Sequence, residues 1–373
     1  MKRTTVSRWL VGGSVVLAVA ALSATTAIAA TPTMTPVATG LDNPRGLAFG
    51  PDGNLYVAEA GHGGSECVSG GPEGEACFGF TSQISRINSD KSHTPLVSGL
   101  ISMASPDGSG ATGIDGIAFK GHAALGIITE SKDIIPPTGL SADTVDKAKR
   151  QLGHLIKAEL NEPGDWDNVA DVGHFDFQWS LDNKSLVPDQ FPDANPYGVA
   201  VGPTATWVVD AAANTLDRIG SNGSIKIAAF VPNPASSDSV PTCVAIGKNG
   251  AIYLGNLTGG GNVPGSANIW RYTPKTGLKV WASGLTAVTG CGFGADGKFY
   301  AVEFSTLGLD NAAPGTGALV RVKAGSSSPE TVVGGLNFPN GFAAGSDGSL
   351  YFSDWSVAPA VSGMGAVMKV TLP

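Results

Sequence analysis

The chain has 373 residues, including 52 glycines and 24 prolines, and only 14% are charged. A hydrophobic share of 42% excludes a disordered chain, and the lack of a Gly-X-Y period excludes a collagen. The formal net charge of −8 argues against nucleic acid or an anionic membrane surface as a partner. Few charges and many turn formers point to a β-rich fold with tight turns.

In chain order, Lys2, Arg3 and Arg8 precede an apolar run from Trp9 to Leu22, and Ala27-Ile28-Ala29 follows. This is the pattern of a cleaved signal peptide over 1–29. The run is short for a membrane anchor, and no later stretch reaches the length of a spanning helix. The expectation is a secreted, extracellular protein with a mature domain at 30–373 and no membrane span after cleavage. Four cysteines suit an oxidising compartment. Cys67 and Cys77 bracket a Gly-rich loop and pair locally, which leaves Cys243 and Cys291 for each other. No C-x-x-C spacing supports a zinc site.

One pattern recurs. Its fullest copy runs from Pro44 to Glu59, with an Asp52-Gly53 turn between two short apolar segments, and the last runs from Pro339 to Asp354 around Asp347-Gly348. Degenerate copies begin at Ile114, Pro196, Pro241 and Val288. The third residue of each copy falls at positions 46, 116, 198, 243, 290 and 341. Each copy reads as a hairpin. A third alternating segment follows (83–87, 268–272, 318–322) and a fourth precedes the next copy (279–285, 331–336). Four strands per unit is the signature of a propeller blade. Residues 35–41 form a fourth strand with no blade before it, and the chain ends after a third-strand segment, 365–370. The predicted fold is all-β: a six-bladed β-propeller of four-stranded blades, closed by an N-terminal strand that completes the last blade. A β-sandwich would not explain six copies of one hairpin. Residues 131–170 read as an insertion with a helix over Ser141–Gln151, and 61–80 as a second. Trp207, Trp270, Trp281 and Trp355 read as core.

If the hairpins supply the innermost strands, two residues of each copy face one end of the channel. The first ring is Arg45, Asp115, Tyr197, Thr242, Thr289 and Asn340. The second is Glu59, Glu130, Asp210, Asn256, Glu303 and Asp354, five of them acidic in a chain poor in charge. Converging carboxylates and amides suit a hard divalent cation such as Ca2+, which could act as a Lewis acid on an ester or lactone. The rival reading is that each acid caps a turn by accepting backbone N–H groups. No G-x-S-x-G, H-E-x-x-H or Walker motif is present.

Asp193-Ala194-Asn195-Pro196-Tyr197-Gly198-Val199, Val209-Asp210-Ala211-Ala212-Ala213-Asn214 and Gly265-Ser266-Ala267-Asn268-Ile269-Trp270-Arg271 resemble the ScyD/ScyE family of exported bacterial proteins, and 209–219 resembles an NHL repeat. The resemblance implies a propeller without naming a reaction. Where the family has Gly-Glu-Leu-Thr-Gly, this chain has Gly255-Asn256-Leu257-Thr258-Gly259, one carboxylate fewer. The blades are also similar to the SMP-30/gluconolactonase group, whose metal ligands include an Asn or Asp just before such a Gly; Asp115 and Asn340 match. The leading expectation is a monomeric binding or scaffolding module for a small molecule or protein. Its alternatives are a metal-dependent lactonase with Asp115, Asn340 and Glu303 on the metal, and a quinone-linked sugar oxidoreductase, which the hairpin at 41–59 resembles.

Overall fold

Each repeat copy folds as its turn residues dictate. Gly53 adopts φ +78°, a conformation that a side chain would strain. The Asp52 carboxylate accepts from the Asn54 N–H at 3.1 Å and from the Tyr56 hydroxyl at 2.9 Å. The turn at Asp296 repeats this clasp, with the Lys298 N–H at 3.0 Å and the Tyr300 hydroxyl at 3.0 Å. The computed structural model describes residues 31–373 except 72–73, 188–189, 235–236, 260–262 and 358–362. The expected leader, 1–29, lies outside the described residues.

Six antiparallel sheets form among the described residues, consistent with a six-bladed β-propeller. Their innermost strands are Pro44–Phe49, Ile114–Lys120, Pro196–Val201, Pro241–Ile246, Val288–Phe293 and Asn340–Ala344. Neighbouring innermost strands touch through the marker glycines. A Cβ on Gly46 would lie 2.6 Å from the Asp115 carbonyl oxygen, one on Gly116 2.5 Å from that of Tyr197, and one on Gly198 2.6 Å from that of Thr242. Gly290 meets Gly341 in the same way, and Gly341 meets the Arg45 carbonyl. Where the marker is Cys243, the side chain crosses to Cys291 as a disulfide, with Cα atoms 5.7 Å apart. The sixth sheet joins the first and last described strands: Thr33–Leu41 pairs antiparallel with Gly365–Thr371.

Three features differ from the sequence expectation. The first sheet has five strands, because the arm Glu66–Gly71 pairs with Gly74–Ile87 and carries the Cys67–Cys77 disulfide. Residues 131–170 are not all insertion: His154–Glu159 and Asp167–Asp171 are the third and fourth strands of the second sheet. The expected helix is there as Ala142–Lys149 (α1), with the Ser141 Oγ accepting from the Thr144 N–H. A second helix, Val172–Asp182 (α2), has no counterpart in the sequence reading; Asp171 caps it by accepting from the His174 N–H at 3.2 Å.

The core lies between sheets. A Tyr on a second strand repeatedly meets a Phe of the next innermost strand, as in Tyr56–Phe119 at 5.0 Å and Tyr300–Phe342 at 6.0 Å between ring centroids. Among the described residues no helix is long and apolar enough to cross a membrane.

Candidate functional site

The first ring assembles. Asp115, Tyr197, Thr242, Thr289 and Asn340 line a cavity of about 70 Å3 between the innermost strands. Four members meet side chain to side chain. The Asn340 Nδ2 donates to the Tyr197 hydroxyl at 2.6 Å. The buried Arg45 guanidinium lies with its Nε 3.8 Å from Asp115 Oδ1, and its Nη2 donates to the Ala111 carbonyl at 2.6 Å. Neither Arg45 Nε nor Asp115 Oδ1 has a hydrogen-bond partner among the described residues. Burial pushes the Asp115 carboxyl up to about 6 against the opposing pull of Arg45, and burial pushes the Tyr197 hydroxyl up to about 12. Thr242 and Thr289 act otherwise. Their hydroxyls donate to the carbonyls of Val288 at 2.6 Å and Pro339 at 3.0 Å, stitching each innermost strand to the next sheet.

The second ring does not line this cavity. Glu59 accepts from the Asp42 N–H at 2.9 Å, Glu303 from the Thr286 N–H at 2.8 Å, and Asp354 from the Asn337 N–H at 2.8 Å. In each case the bonded N–H belongs to the residue just before a left-handed one: Asn43 at φ +47°, Ala287 at +47° and Phe338 at +46°. Side chains disfavour that region, and the carboxylate holds the strained loop in place. Asp210 accepts from the N–H groups of Asn195, Ala212 and Ala213 at 2.8–2.9 Å. The Asn256 amide oxygen accepts from the Asn268 N–H at 2.8 Å.

Glu130 does not belong to this ring. Its strand ends at Ile128, and Ile114 pairs with Ile128 where Pro196 pairs with Asp210 and Val288 with Glu303. The ring therefore holds four acids, with Ile128 in the sixth place. Nor do Asp115, Asn340 and Glu303 form a cation cage: Asp115 faces Arg45, and Glu303 is hydrogen-bonded to its own loop. Among the described residues no group of three His, Cys, Asp or Glu side chains could hold a metal ion. The donor set does not fit the cation that the SMP-30 likeness suggests.

A cluster absent from the sequence reading lies beneath α2. Asp176, Asp210 and Asp217 are fully buried, and neither carboxyl oxygen of Asp176 has a hydrogen-bond partner among the described residues. Burial, reinforced by the neighbouring carboxylates, holds Asp176 well above the usual range, and burial pushes Asp217 up to about 8. Carboxyls this close bind protons instead of ionising together. Asp176 escaped notice because α2 did.

The chain matches no protein-family model and no curated protein. Solved structures do match. They include a protein of unknown function from Bacteroides thetaiotaomicron, 10% identical over 91% of this chain and 76% of that one, with a TM-score of 0.56. A gluconolactonase from Xanthomonas campestris is 9% identical over 92% and 90%, at 0.54. An aldose sugar dehydrogenase from Streptomyces coelicolor, solved with PQQ bound, is 14% identical over 91% and 98%, at 0.51. At these identities the likeness shows the fold and leaves the chemistry open. The chain is a β-propeller.

Proposed function

We propose that this protein is an exported, monomeric binding or scaffolding propeller of the ScyD/ScyE type, its ring closed by the pairing of Thr33–Leu41 with Gly365–Thr371. One observation carries the reading: Asp115, the carboxylate that lines the channel among the described residues, faces a buried arginine. The acids at the strand ends are engaged in holding loops. Two disulfides are compatible with an extracellular location.

The alternatives ask for more than the channel offers. A lactonase of the SMP-30 type needs converging oxygen donors for a divalent cation, and Arg45 opposes one there. A quinone cofactor needs a pocket of several hundred Å3, against about 70 Å3 here.

The test is a thermal-shift screen of small molecules on the purified mature protein, run beside metal analysis, a chelator melt and a lactone panel. The binding reading expects ligand-dependent shifts without turnover, no stoichiometric metal and no chelator effect. Lactone hydrolysis that disappears in Asp115→Ala and Asn340→Ala would overturn it in favour of the hydrolase.

A further inference from the structure

The junction between the fourth and fifth sheets is packed differently from three others, where a single Tyr–Phe pair bridges neighbouring sheets (Tyr56–Phe119, Tyr300–Phe342 and Tyr351–Phe49). Here four rings gather: Tyr253 lies 5.2 Å from Trp281, 5.2 Å from Phe293 and 5.6 Å from Phe299, while Phe299 lies 5.4 Å from Trp281 and 5.0 Å from Phe293. They do not close over one another. A cavity of about 480 Å3 opens beside them, with Trp281, Phe293 and Phe299 as its apolar wall. That volume falls within the usual range for a small-molecule site, roughly 300–1,000 Å3.

The rim is cationic. Lys298, Arg321 and Lys323 line the opening, and no carboxylate does. Two acids lie behind them: Asp296 pairs with Lys298 at 2.9 Å, and Glu330 pairs with Arg321 and stands 3.9 Å from Lys323. Three cations against two carboxylates leave a positive excess at the mouth, in a chain whose net charge is −8. Two small residues, Gly297 and Ala324, also line the cavity, and a Cβ on Gly297 would meet nothing within 4 Å.

The walls are fixed before any ligand arrives. The Cys243–Cys291 disulfide joins the same two sheets at their channel ends. Near the pocket, the Trp281 carbonyl accepts from the Gly325 N–H at 2.8 Å and the Ser283 N–H donates to the Ser326 carbonyl at 2.9 Å. A preformed slot binds without the entropy of ordering its walls.

We propose that this slot binds a flat aromatic molecule carrying one anionic group, a carboxylate or sulfonate, with its rings against Trp281 and Phe293 and its charge at Lys298 and Lys323. Arginine and lysine at the rim orient the anion, and the aromatic wall supplies the contact area. The inference extends the binding-module reading, but it is scored at this pocket alone, so its failure leaves the channel tests standing.

The probe is 8-anilino-1-naphthalenesulfonate, titrated into the folded full-length mature protein while its emission is followed. One saturable site with blue-shifted emission is expected. Ala324→Trp, an exposed change that fills the mouth, should weaken binding at least about tenfold, and Lys298→Gln with Lys323→Gln about threefold to fivefold. The uncharged N-phenyl-1-naphthylamine should bind more weakly than the sulfonate. Trp281→Leu should also weaken binding, with near-UV circular dichroism reporting whether that variant keeps its fold. The proposal is overturned if Ala324→Trp leaves the affinity unchanged, if the uncharged probe binds as well, or if binding disappears instead in Phe191→Ser, which removes a ring 84% exposed elsewhere on the surface.

Discussion

The two polar rings lie a few residues apart on the same hairpins, yet they behave as different materials. Arg45, Asp115, Tyr197 and Asn340 find one another across the channel, each depending on a residue from another sheet. Glu59, Glu303 and Asp354 each reach back to the loop that leads into their own sheet. The register marks the divergence. Glu59 stands opposite Pro44, and Glu303 opposite Val288; Arg45 and Thr289 come one step later, in the irregularities between Pro44 and Leu47 and between Val288 and Gly290, where the ladder gives them no cross-strand partner. The lesson is that a position repeated in sequence becomes a site only when the register aims it at its counterparts.

The first way to break this comparison is Arg45→Ala. It leaves Asp115 buried without its cation and should destabilise the fold by about 3–5 kcal/mol, read from urea melts. Arg45→Met combined with Asp115→Asn should recover most of that loss. A mild effect of Arg45→Ala, with simple additivity in the double variant, would remove the claim that the first ring is interdependent.

The second contrast is in pH. Burial pushes Glu303 up to about 7 from 4.5, opposed by its bond from Thr286. Its folded value lies above its unfolded one, so the folded protein binds more protons between those values. Stability from this group is fully present below about pH 4.5 and is lost as pH rises through 7, by on the order of 3 kcal/mol. Asp217, pushed up to about 8, extends the same slope. Thermal melts from pH 4.5 to 8.5 should therefore fall steadily in the parent, and Glu303→Gln and Asp217→Asn should each flatten the curve. A parent that gains stability over that window contradicts the assignment.

Smaller effects sharpen the contrast. Glu59→Ala and Asp354→Ala each free a loop N–H and should destabilise by about 1–3 kcal/mol. Because they act in different sheets, their sum should equal the double variant within about 0.5 kcal/mol. Thr242→Val removes one hydroxyl bond to the Val288 carbonyl and should lower stability by about 1 kcal/mol in the same urea melts.

Much of the fold was legible because it rests on local chemistry. Asp-Gly turns between two short apolar segments announce hairpins, as at Asp52-Gly53 and Asp347-Gly348, and Cys243 at a marker position pointed toward Cys291 in the next copy. The missed parts depend on context that no local pattern holds. Phe175, Phe177, Trp179 and Leu181 alternate with other residues in a strand-like rhythm, yet they lie in α2. Glu130 was placed in the ring as the acid following the second strand, but that strand stops at Ile128, which takes the place opposite Ile114. Trp281 reads as core from its strand position, but it lines an open cavity together with residues of the next sheet, a neighbourhood that no local pattern shows. The first ring was named from its repeat position, whereas its internal bonding needed all the sheets at once.

The sixth sheet carries a consequence for timing. Thr33 is paired with Thr371, so the first described strand is partnered by the last. Its contacts span almost all of the described residues, the kind of pairing that forms slowly. A circular permutant that joins 371 to 33 through a short linker and opens the chain at the exposed turn 162–164 would make the two strands neighbours in sequence. It should refold faster than the parent to the same structure.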